Sequence, residues 1–161
     1  MLTIIVAASV VLGSHVRVTD PVVQAALTNG LQQSEVIRRL VALIDASDLI
    51  VYLSRGDCPG RAVACLRMGA AGANVRYVHI NFRRSIGPGA ATGWHKGDLS
   101  ETIAHELQHA VEIASWPGVV DGETLRIAYT GHGDRGLTHL DSDAALRAGI
   151  ARRDELRRRR R

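Results

Sequence analysis

Residues 98–115 read DLSETIAHELQHAVEIAS, and their spacing decides what fold can surround them. Leu99, Ile103, Ala104, Leu107, Ala110, Val111 and Ala114 recur at intervals of three and four, which lines one side of an α-helix with apolar groups. Asp98 or Ser100 can cap the helix start, and Glu101 stands three residues after Asp98, as a capping box requires. Pro117-Gly118 stops it. The polar residues have a period too. His105 and His109 are one turn apart, so their imidazoles leave the same side of the helix, offset by about 40° and roughly 6 Å along the axis. Glu106 lies about 100° from His105, at the edge of that side.

Two imidazoles so placed can meet one zinc ion at Zn–N distances of about 2.0–2.1 Å. Zinc lowers the pKa of a bound water toward about 7, and the neighbouring Glu106 carboxylate is placed to take its proton. Leu107 and Ala110 suit the packing side, so the chemistry and the burial do not compete for positions. The plainer alternative is a pair of solvent-facing histidines bonded to Glu101 or Glu112.

Upstream, Asp20-Pro21 opens a short helix over 21–29 that Asn29-Gly30 should end. A second helix begins at Ser34-Glu35, with Val36, Ile37, Leu40, Val41 and Ile44 at helical spacing. Three β-rich runs follow: DLIVYLS from Asp48, AVACLRM from Ala62, and NVRYVHINF from Asn74. In the last, Arg76, Val78, Ile80 and Phe82 alternate with Val75, Tyr77, His79 and Asn81. The expectation is an α+β fold: a small antiparallel sheet of about three strands, packed with helices that include the long one bearing the histidines. Residues 83–97 read as a Gly-rich loop. Helices are expected near 121–129 and from about Leu140 into the C-terminus.

The organisation reads as one domain over 15–151, between an apolar run ahead and an Arg-rich tail behind. Residues 2–12 (LTIIVAASVVL) have the length of an export-signal core, followed by the small residues Gly13 and Ser14; the alternative is a buried first element. If residues 1–14 are a signal peptide or its remnant, the expected location is periplasmic or secreted; otherwise it is cytoplasmic. Cys58 and Cys65 flank a turn, GDCPGRAVAC, and either form a disulfide or stay as separate thiols. The chain's +4 charge is uneven. The tail, 152–161, holds seven arginines against Asp154 and Glu155, so the body is slightly negative. Such a run is either a solvated helix end or a contact for an anionic surface. Aromatics at 4% argue against a stacking platform for bases or sugars, and no specific nucleic-acid partner is expected.

The HExxH in residues 105–109, with its capped helix, resembles the zincins, the HExxH zinc metallopeptidases. The resemblance covers mainly 98–115. It implies zinc as cofactor, His105 and His109 as ligands, Glu106 as general base and a peptide or protein as substrate. The metzincin branch is excluded, because AVEIASWPG follows His109 without a third histidine. A gluzincin-like or aspzincin-like branch would take its third ligand from a later acid. Asp141-Ser142-Asp143-Ala144-Ala145 partly matches the ExxAD pattern and nominates Asp141, with Asp for Glu and Ala145 where the second acid would stand. Asp143, Glu112, His132 and His139 compete for that place. Glu112 can instead orient His109, and Tyr129 or His132 can steady an oxyanion. The resulting expectation is a small zinc metallopeptidase. The alternative is a weakly active or inactive zinc-binding domain serving as a sensor or interaction module.

Overall fold

The computed structural model describes residues 14–60, 62–84, 99–131 and 141–161. The fold is α+β, with five helices and a four-stranded mixed sheet in these segments. β1 (Val16–Val18) leads into α1 (Pro21–Gln33), α2 (Glu35–Asp45) and β2 (Leu49–Gly56). β3 (Ala64–Met68) and β4 (Arg76–Arg83) complete the sheet, followed by α3 (Leu99–Ala114), α4 (Gly122–Gly131) and α5 (Asp143–Arg159).

The sheet corrects the expected antiparallel meander. Its order is β1-β2-β4-β3; β1 and β4 both run parallel to β2, and only β3 runs antiparallel, against β4. From the end of β2 the chain crosses to the outer edge, returns as β3, and threads β4 back between them. Strand content was legible in the alternation, but pairing was not, because two apolar runs joined by a long turn fit either direction. β1 was missed: three residues carry too little alternation, and β1 becomes a strand by pairing Val16, Arg17 and Val18 with Val51, Tyr52 and Leu53. The apolar run 2–12 lies outside the described residues.

Cys58 and Cys65 are joined by a disulfide across the β2–β3 connection, with a Cα–Cα separation of 5.6 Å. Glycine at position 60 sits at φ +57°, where other residues are strained.

The core forms between the sheet and the helices. Leu49, Val51, Leu53, Val78, Ile80 and Phe82 point into it from β2 and β4, and Ile37, Leu40, Ile44, Ile103, Leu107 and Ile113 meet them. α1 runs past the expected stop at Gly30. That glycine is buried instead, and an added Cβ would come 2.5 Å from Ile37 Cδ1, so its smallness lets α1 and α2 pack closely.

α3 is fixed at both ends by arginines. Arg76, 4% exposed, grips Asp48 through Nε and Nη2, each at 2.7 Å. It also donates to the carbonyls of Ile113, Ala114, Trp116 and Val119, at the end of the helix and in the turn after it. At the other end Arg152, 1% exposed, donates to Ser100 Oγ at 2.9 Å, and Arg153 pairs with Glu101 at 2.9 Å. Glu155 accepts from the Glu35 and Val36 amides and so caps α2 from another element. The basic segment is therefore the end of α5, with its first arginine in the interior. Only Arg157–Arg161 form a continuous exposed run.

Candidate metal centre

α3 turns His105 and His109 toward α4 and the start of α5, and buries Glu106. The two histidines bring their Nε2 atoms to 3.2 Å from each other, their rings edge to face. Asp141 Oδ1 lies 3.3 Å from His105 Nε2, and the three donor atoms all fall within 4.8 Å of one another. Donors held tetrahedrally at about 2.0–2.1 Å from a zinc ion stand about 3.3 Å apart. Two of the three separations thus already match that polyhedron. Two neutral nitrogens and a carboxylate are also a donor set that zinc accepts.

Asp141 reaches the site from a different place than expected. It is not on a helix but immediately precedes Ser142, the N-cap of α5, whose hydroxyl accepts from the Ala145 amide. Asp143 lies in the first turn of α5 and is exposed. Of the two aspartates, Asp141 is the one that lies within reach of both histidines. At Gly149 α5 passes beside α3: an added Cβ would sit at ordinary contact distance, 3.5 Å from Glu101 O and 3.7 Å from His105 Cβ.

Behind His109 lies a buried polar cluster. Its Nδ1 is 3.0 Å from Glu112 Oε2 and 2.8 Å from the Tyr129 oxygen, and Tyr129 donates to the same Glu112 oxygen at 2.9 Å. Ser142 donates to the other Glu112 oxygen. A proton on Nδ1 shared with the carboxylate leaves the Nε2 lone pair facing Asp141 and His105, as a metal ligand requires. Glu112 thus meets His109 from the side away from the three-donor group. Tyr129 is 5% exposed and packs edge to face against Trp116, and its hydroxyl bonds Glu112 and His109. Ser142 was missed in the sequence; an N-cap serine just after an acid is a readable signal, but its bond to a residue on another helix is not.

The charges in the site follow from burial. Burial pushes the Glu106 carboxyl up from its usual range, against the pull of His109 and His105, and Asp141 adds to the rise. Burial opposes charge on His105, but the hydrogen bond to Asp141 and the charges of Glu106, Asp141 and Glu112 outweigh it and raise its pKa. Burial would raise Glu112 as well, yet the bonds from His109, Ser142 and Tyr129 hold it below the usual range. A raised Glu106 is a better proton acceptor near neutral pH than an ordinary carboxylate.

His132, His139, His95 and Trp94 lie outside the described residues. His79 is on the far face of the sheet, stacked on Tyr52 with ring centroids 5.1 Å apart. Comparison of the chain with protein-family models, with curated proteins and with solved structures found no match.

Proposed function

We propose that this chain is a zinc-dependent hydrolase, and that peptide bonds are its substrate class. The observation that carries the reading is the convergence of His105, His109 and Asp141 beside the buried Glu106. The third donor comes from a separate element, which a chance helix-surface HExxH does not provide.

A bound zinc ion supplies Lewis acidity and makes a coordinated water easier to deprotonate. The chain's own groups supply the rest. His105, His109 and Asp141 bind; their side chains at 22%, 6% and 42% exposure leave the opening on the Asp141 side. Glu112, backed by Tyr129 and Ser142, orients His109. Glu106 accepts the proton from the attacking water at its carboxylate and returns it to the leaving amine nitrogen. The disulfide fits an oxidising compartment, consistent with action outside the cytoplasm.

The test is elemental analysis with a hydrolysis assay. Wild type should carry one zinc per chain, and His109→Ala should lose it. Glu106→Gln should keep the zinc and lose peptide hydrolysis by several orders of magnitude. Absence of metal in the wild type, even after zinc is supplied, would sink the reading. Metal retained with no hydrolysis in any variant would leave the zinc-binding module as the better account.

A further inference from the structure

α5 packs its small residues inward. Ala145, Ala148, Gly149 and Arg152 are buried. With about 100° of rotation per residue, Leu146, Ile150, Arg153 and Arg157 fall in one stripe about 60° wide on the other side. Leu146 and Ile150 are 45% and 49% exposed, one turn apart, so they form an adjacent apolar pair and not two scattered side chains. Past them the stripe becomes cationic. Arg153 leans back to Glu101, and Arg157 has only a loose contact with Asp154 at 3.8 Å. Arg158, Arg159, Arg160 and Arg161 are exposed as well.

We propose that this face of α5 docks on the surface of a bilayer containing anionic phospholipid. The two halves of the stripe call for different contacts. The arginines fit phosphate headgroups, and Leu146 with Ile150 fit the boundary between headgroups and acyl chains. A nucleic acid would satisfy the arginines but offers the two aliphatic side chains nothing, and no aromatic ring lies on the stripe to stack on a base. No helix among the described residues is long and apolar enough to cross a membrane, so the contact is with the surface. The buried side of the same helix touches α3 at Glu101 and His105. Docking therefore holds the metal centre close to the bilayer, whichever reaction that centre performs.

The experiment is co-sedimentation of the full chain with vesicles. One set contains phosphatidylcholine mixed with phosphatidylglycerol, the other phosphatidylcholine alone. The chain should sediment with the mixed vesicles only. Replacing Arg157, Arg158, Arg160 and Arg161 with serine should weaken partitioning by about a hundredfold or more, since each basic residue near such a surface contributes about fivefold. Leu146→Ser with Ile150→Ser should weaken it by about tenfold while leaving the arginines in place. These side chains are exposed, and an unchanged helical circular-dichroism signal shows that each variant is folded. No sedimentation with the mixed vesicles overturns the proposal. So does sedimentation that the Leu146/Ile150 variant leaves unchanged, or tighter binding to a single-stranded oligonucleotide that this variant retains.

Discussion

At its C-terminal end α3 delivers four carbonyls of itself and the following turn to one buried guanidinium, whose remaining nitrogens meet an aspartate. One to two turns earlier, the same helix crowds two imidazole nitrogens against each other and against a carboxylate, with a second carboxylate buried alongside. The first region satisfies every group it buries. The second keeps groups of like role together, and burial raises the pKa of its glutamate. The end of the helix is closed by hydrogen bonds of unlike groups, whereas its middle gathers two imidazoles and two carboxylates that share protons and charge among themselves.

The sharpest way to break this comparison is to add metal. Zinc at a thousandfold excess over its dissociation constant should raise wild-type stability by about 4 kcal/mol, with no such gain in His109→Ala. That gain should shrink as pH falls: zinc needs neutral imidazoles, and the raised pKa of His105 keeps its proton competing above the ordinary histidine range. In the metal-free chain the sign reverses. A raised His105 contributes stability that is complete below the unfolded imidazole pKa and is lost as pH rises through the folded value. Next in size is Arg76→Met. If Arg76 is the anchor, the variant should lose about 2–3 kcal/mol in denaturant unfolding, because the Ala114 and Val119 carbonyls lose their donor while those of Ile113 and Trp116 keep a backbone amide. A loss below about 1 kcal/mol would mean that water replaces the guanidinium.

Glu112→Gln should lower zinc affinity about 10- to 100-fold by isothermal titration without removing a ligand. An affinity unchanged by that substitution would mean that Glu112 does not orient His109. Glu106→Gln should raise the melting temperature of the metal-free protein. The folded pKa of Glu106 lies above its unfolded value, so its penalty is present above the folded pKa and absent below the unfolded one. The gain should therefore appear at neutral pH and vanish near about pH 4. The smallest effect is at Gly149. Its added Cβ would meet only ordinary contacts, so Gly149→Ala should gain about 0.5–1 kcal/mol from helix propensity.

Much of α3 was legible in the sequence, because helical period and ligand spacing are both local. The sheet was not, since parallel pairing of β2 with β4 depends on where the chain goes between them. Gly30 reads as a helix stop by propensity, yet tertiary packing against Ile37 overrides that preference. Asp141 could be nominated, but its placement depends on Ser142 capping α5 and bonding Glu112. Arg76 alternates onto the same face as Val78, Ile80 and Phe82, and nothing local shows that an arginine there closes a helix. The low aromatic content was a fair argument against a stacking platform. It did not foresee that register would set Tyr52 beside His79, with Arg17 over the Tyr52 ring.

The placement of Asp141 ahead of the α5 cap has a consequence for the chain as a polymer. His109 and Asp141 are separated along the sequence by all of α4 and its flanking segments. If the proposed ion binds, it would act as a removable cross-link across that loop. By loop-closure arithmetic such a link is worth on the order of 3–4 kcal/mol of unfolded-state entropy. Because α5 is also seated by Arg152 on Ser100 and by its buried small residues, a chelator would lower the stability of the chain without unseating its last helix.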